Sequence, residues 1–221
     1  MTHIRIKICC ISSIEEAKSA ILYGADALGF VSAMPSGAGV IEEELIPLIV
    51  SKVPPPTATF LLTSKVDAEE IIPQILRCRT NTVQLVDRVK TEVYDKIHYA
   101  LPWIKIVQVI HVNSKDSIKE AESVSQYADA LLLDSGNPSL KIKELGGTGR
   151  VHDWSISKTI CERTDKPVFL AGGLNAENVI EAIRAVRPFG IDVCSGIRTN
   201  GCLDLGKLKQ FISNIKNIPV N

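Results

Sequence analysis

The chain has 221 residues, 45% hydrophobic and 23% charged, enough apolar material for one full core and the size of one α/β domain over residues 1–221. Twenty-five Lys and Arg balance 25 Asp and Glu, which argues against nucleic-acid or anionic-membrane partners but leaves room for a local phosphate site. "MTHIRIKICC" has no apolar signal-peptide core and no stretch reaches the length of a membrane span, so a cytoplasmic protein is expected.

Short apolar runs alternate with amphipathic segments along the chain. "IRIKI" reads as a strand and "SIEEAKSAILYG" as a helix, with Ser ahead of an acidic first turn and Gly24 placed as a C-cap. "ALGFV" and "EEELIPLIVSK" follow, and Pro54 to Pro56 stop that second helix. The pattern then repeats as "TATFLL" with "DAEEIIPQILR", "TVQLV" with "TEVYDKIHYAL", and "IKIVQVIHV" with "SKDSIKEAESVSQYA". It closes as "ADALLL" with "DWSISKTICER", "PVFLA" with "NAENVIEAIRAV", and "GIDVCS" with "LGKLKQFISNIK". Eight such units, each roughly 28 residues long, predict a (β/α)8 TIM barrel. The rival, a doubly wound sheet, is disfavoured because the first strand is followed by "CCISS" rather than a glycine-rich nucleotide turn.

Cys9, Cys10, Cys78, Cys161, Cys194 and Cys202 include no C-x-x-C pair and are expected to stay reduced. Strand alternation sends Cys9 and Cys10 to opposite faces, which makes Cys10 a small packing residue. His3, His98, His111 and His152 lack metal-ligand spacing and read as surface or satisfied core histidines, so no metal is expected.

A barrel of this type carries its active site at the C-terminal ends of the strands. There the sequence places Cys9, Gln84 and Asp134, the glycine-rich run Gly146 to Gly149, the pair Gly172 and Gly173, and Cys194, Ser195 and Gly196. A thiol and a carboxylate at one mouth, above glycines that let backbone N–H groups approach an anion, suit proton transfer on a sugar phosphate.

"KICCIS", "VQL", "ADALLLDS", "GGTG" with "DWS", and "LAGGLNAENVIEAIRAVRPFGIDVCSG" together resemble the phosphoribosylanthranilate isomerase family of tryptophan biosynthesis. The resemblance spans nearly the whole chain and implies a cofactor-independent Amadori rearrangement of N-(5-phosphoribosyl)anthranilate, with a phosphorylated ribosyl-amine as the small-molecule partner. It implies Cys9 as general base and Asp134 as general acid, with Lys7 on the same strand face as the cation favouring a thiolate. The phosphate would sit around Gly147, Gly149, Gly172, Gly173, Ser195 and Gly196, with Gln84 and Arg198 also expected at the substrate.

The chain departs from the family pattern in four places. Ala38 stands where K-S-P-R-Y-V-S has its carboxylate-binding Arg, and Val86 and Asp87 stand where Q-L-H-G has His and Gly. S-S-G-V-E reads "CSGIR", and Cys10 replaces the glycine of K-I-C-G-I. Arg198 has two readings: it reaches the mouth near Cys9 and replaces the missing cation, or it is an exposed surface arginine. Three functions follow: the isomerase itself, a paralogue acting on another phosphorylated sugar amine, or a non-catalytic ligand-binding barrel. A monomer and a homodimer fit equally well.

Overall fold

The computed structural model describes residues 4–35, 37–136, 140, 143, 145 and 149–218. Its strands are β1 (Arg5–Ile8), β2 (Ala27–Val31), β3 (Ala58–Thr63), β4 (Thr82–Leu85), β5 (Lys105–His111), β6 (Ala130–Asp134), β7 (Val168–Leu170) and β8 (Gly190–Val193). Between and after them run α1 (Ile14–Tyr23), α2 (Leu45–Val50), α3 (Ala68–Cys78), α4 (Thr91–Ala100), α5 (Asp116–Val124), α6 (Trp154–Arg163), α7 (Val179–Val186) and α8 (Leu205–Lys216). All eight strands are parallel and form a closed barrel, β8 returning to β1 in the register Arg5↔Gly190 to Ile8↔Val193. The (β/α)8 expectation holds.

Alternation along each strand divides the core in two. Ile6, Ile8, Leu28, Leu61, Ile106 and Leu133 pack outward against the helices. Val31, Phe60, Leu62, Val107, Leu132 and Phe169 fill the barrel, with Phe60 meeting Phe169 edge to face at 6.0 Å. Lys7 also points inward, fully buried, its Nζ 2.9 Å from Asp192 Oδ2 and 5.2 Å from the centre of the Phe60 ring.

Ser13 caps α1 by accepting from the Glu16 N–H at 3.1 Å, and Gly24 ends the helix at φ 111°, as the sequence predicts. Two helices, α2 and α7, start three and four residues later than their sequence patterns. The Glu43 carboxylate accepts from Gln74 and Arg77 and so braces α2 against α3 instead of extending the helix. Asn175 accepts from the N–H groups of Glu177 and Asn178, which caps a turn before α7 rather than the helix itself.

After β8 the chain makes a 3-10 turn (Ser195–Ile197) and a small antiparallel hairpin, β9 (Arg198–Thr199) with β10 (Cys202–Leu203), which the periodicity does not announce. This hairpin overturns the expectation for Arg198. Its guanidinium donates to both Glu16 oxygens at 3.1 Å, to Gly201 O at 2.9 Å, and to the backbone oxygens of Cys9 and Cys10. Both terminal nitrogens are spent on scaffold, on Glu16 in α1 and on carbonyls after β1 and in the hairpin, while Nε is buried without a partner among the described residues. Burial opposes the Glu16 charge, but Arg198 and the N–H groups of Leu203 and Ser12 hold its carboxyl below the ordinary range. Arg198→Leu strands that carboxylate and three carbonyls, so a loss of about 2 kcal/mol is expected in urea denaturation. Unchanged stability would show that the clamp contributes nothing.

Candidate active site

β1 ends at Ile8, and the Cys9 N–H donates to Val193 O at 2.9 Å, which holds Cys9 at the rim in register with β8. Cys10 then adopts φ 63°, the left-handed region. This breaks strand alternation, so Cys10 lines the same cavity as Cys9 instead of packing on the opposite face. Gly39 provides the space: a Cβ there would come within 2.3 Å of Cys10 Cβ. Gly29 on β2 likewise leaves room for Cys9 and Lys7 together, since its Cβ would lie 2.9 Å from Cys9 Sγ and 3.1 Å from Lys7 Nζ.

The cavity above this floor has about 710 Å³ of space including its open mouth. Cys9, Gln84, Asp134, Gly149, Gly172, Gly173 and Ser195 all line it, as do Ala38 and Val86. Gly196 does not; it packs against the carbonyl of Leu174 so tightly that a Cβ would reach 2.0 Å. Lys7 lies beneath the cavity rather than on its wall, and Gly147 falls outside the described residues. Among the described lining residues there is no Arg or Lys to take the place of the guanidinium missing at Ala38. Asp87, in the other altered position, pairs with Lys143.

Asp134 ends β6 almost fully buried, its Oδ1 accepting from the Ser135 N–H at 2.8 Å. Burial raises its pKa and the Asp192 charge adds to the rise; Ser135, His111 and Lys7 oppose without cancelling it. A carboxyl that keeps its proton longer than usual is a competent acid. Burial also raises Asp192 against the pull of Lys7. Lys7 resists its own burial because Asp192 and the neighbouring Cys9 favour the ammonium, and its pKa stays above the ordinary value.

Sequence reasoning missed three neighbours of this centre. Asp192 lines the cavity and pairs with Lys7, and its position in "GIDVCS" on an inward strand register was the available signal. His111 is the register partner of Asp134, and its Nε2 lies 2.9 Å from Val86 O, which makes Nε2 the protonated nitrogen. Its Nδ1 is buried without a partner among the described residues, so the reading of His111 as a satisfied core histidine does not hold. The same applies to His152, where Nε2 meets Ser157 Oγ at 2.7 Å while Nδ1 has no partner. Burial pushes the His152 pKa down to about 4 against the pull of Asp153. Gly172 sits beside it at φ 84°, where a Cβ would lie 3.1 Å from His152 Nδ1 and 3.2 Å from Asp134 Oδ1.

The family model for N-(5'-phosphoribosyl)anthranilate (PRA) isomerase matches residues 6–214. The chain belongs to the phosphoribosylanthranilate isomerase family. It is 37% identical over 215 residues to N-(5'-phosphoribosyl)anthranilate isomerase 2 of Methanosarcina mazei, covering 96% of this chain and 94% of that one. Identity to the Bacillus cereus isomerase is 38% over 220 residues, covering 96% and 98%. Among solved structures, phosphoribosyl anthranilate isomerase from Thermotoga maritima superposes with a TM-score of 0.83 at 31% identity, covering 97% of this chain and all (100%) of that one. A phosphoribosyl anthranilate isomerase in complex with reduced 1-(o-carboxyphenylamino)-1-deoxyribulose 5-phosphate gives 0.81 at 30%, with the same coverage. None of these four favours a paralogue acting on another sugar amine.

Proposed function

We propose that this member of the phosphoribosylanthranilate isomerase family converts N-(5'-phosphoribosyl)anthranilate to 1-(2-carboxyphenylamino)-1-deoxyribulose 5-phosphate, in the cytoplasm. The observation that carries the proposal is that Cys9 and Asp134 line one cavity whose rim is built from Gly149, Gly172, Gly173 and Ser195. Asp134 donates its proton to the ribose ring oxygen, the ring opens to a Schiff base, and Cys9 removes the proton from C2′. Enol collapse to the ketone completes the Amadori rearrangement. Cys9 and Lys7 lie side by side in the space left by Gly29, and Cys9 favours the Lys7 ammonium. The positive φ of Gly149, Gly172 and Gly173 favours backbone N–H groups gathered toward a phosphate.

The test is turnover of phosphoribosylanthranilate by the purified protein, together with rescue of a tryptophan auxotroph lacking the isomerase. Turnover with kcat of about 1–10³ s⁻¹ and rescue are expected. A folded protein that does neither overturns the proposal, despite the intact acid and base.

A further inference from the structure

Two of the departures from the family pattern meet in space. Cys10, in the place of a glycine, and Cys194, in the place of a serine, lie with their sulfurs 2.7 Å apart on the cavity wall. The approach is built into the scaffold. Ile8 and Val193 are register partners on adjacent strands, about 4.8 Å apart. Residues one and two positions beyond them therefore fall within the Cα separation of about 4.4–6.8 Å that a disulfide spans. Cys10 holds a left-handed backbone that cysteine adopts only at a cost. Arg198 donates to its carbonyl, and Gly39 yields the space its side chain occupies. No group of three metal-ligating side chains forms among the described residues, so the arrangement fits thiol chemistry better than a soft metal ion.

We propose that Cys10 and Cys194 are a reversible disulfide-forming site at the barrel mouth, oxidised by hydrogen peroxide that enters the cavity. The Cys194 sulfur attacks the terminal peroxide oxygen, the O–O bond breaks, and Cys194 becomes a sulfenic acid while hydroxide takes up a proton and leaves as water. The Cys10 sulfur then attacks the sulfenic sulfur, the S–OH bond breaks, and a second water leaves with the Cys10 proton. Two thiols are oxidised by two electrons and one hydrogen peroxide is reduced to two waters. Cys194 is the better attacking thiol: its hydrogen bond with Cys10 lowers its pKa and Arg198 assists, although burial opposes. The bond to Cys194 raises that of Cys10. Burial holds Cys78 and Cys161 up at about 12 and about 11, out of competition. The consequence for catalysis rests on the base role given to Cys9 above. Cys10 follows Cys9 in the chain and lines the same cavity, so the pair diverts an oxidant into a reducible bond beside the thiol whose oxidation would stop turnover.

The test is mass spectrometry on the native, reduced protein treated with one equivalent of hydrogen peroxide, alkylated and digested. A mass loss of two hydrogens and a peptide cross-linked through Cys10 and Cys194 are expected, both reversed by dithiothreitol. Cys10→Gly and Cys194→Ser, which restore the family residues, should each abolish the loss. Absence of that cross-link in the native protein overturns the proposal, as does its persistence as a two-hydrogen loss in either variant. Oxidation of Cys9 with Cys10 and Cys194 still alkylated overturns it too. The readout needs no substrate, so a protein that cross-links but does not turn over phosphoribosylanthranilate refutes only the isomerase reading.

Discussion

Asp134→Asn lowers kcat for phosphoribosylanthranilate by about 10²–10⁴-fold with the barrel intact, the usual contribution of a positioned acid. Asparagine keeps the shape and still accepts from the Ser135 N–H, which bonds Asp134 at 2.8 Å in the native chain, but it has no proton to give a ring oxygen. Cys9→Ser belongs to the same experiment, because a hydroxyl ionises far less readily than a thiol and makes a poor base. Steady-state kinetics on both variants, with circular dichroism to confirm folding, checks this; undiminished kcat in either removes that residue from the mechanism. The acid role also sets a pH dependence. Asp134 must be protonated to act, and burial raises its pKa, so kcat falls as pH climbs through that raised value. An alkaline limb displaced above the pH at which an ordinary carboxylate ionises is the expected signature.

The barrel was legible in the sequence because strands buried on both faces read as short apolar runs, and β2 and α8 occupy the residues their patterns predict. The strand-end logic likewise placed Cys9 and Asp134 at one mouth, where both line the cavity, since a closed parallel barrel collects those ends on one side. What escaped depends on backbone dihedrals and long-range partners. Strand periodicity sends Cys10 to the opposite face from Cys9, and only its positive φ, made possible by Gly39, turns it into the cavity. Arg198 was placed near Cys9 correctly in space but wrongly in orientation. Its competitor Glu16 lies 182 residues earlier in the chain, and the β9–β10 hairpin that joins them has two-residue strands too short for any periodicity. His111 and Asp192 looked like ordinary strand residues because what marks them is a partner on the neighbouring strand or just beyond its end, far away in sequence: Lys7 of β1 for Asp192, Val86 O after β4 for His111.

Lys7→Met costs about 3–5 kcal/mol of stability, the largest loss expected from any single substitution here. Lys7 is fully buried, and its removal leaves the Asp192 carboxylate in the barrel without the ammonium 2.9 Å away. Met fills the space of the stem but cannot accept the charge. Asp192→Leu in the same background should recover most of the loss, because replacing both members of a buried pair by apolar groups is often neutral or stabilising. The single variant carries a pH signature of definite sign. Burial already raises the Asp192 pKa and only Lys7 opposes it, so without Lys7 the folded carboxyl binds its proton more tightly than the unfolded one. Stability then falls as pH rises from the unfolded value to the folded one, and the penalty is smallest in acid. Urea denaturation of wild type, Lys7→Met and the double variant across pH 4–8 measures all three quantities. A Lys7→Met penalty that grows toward acid would mean that Asp192 stays ionised in the barrel, and that a charge other than Lys7 supports it.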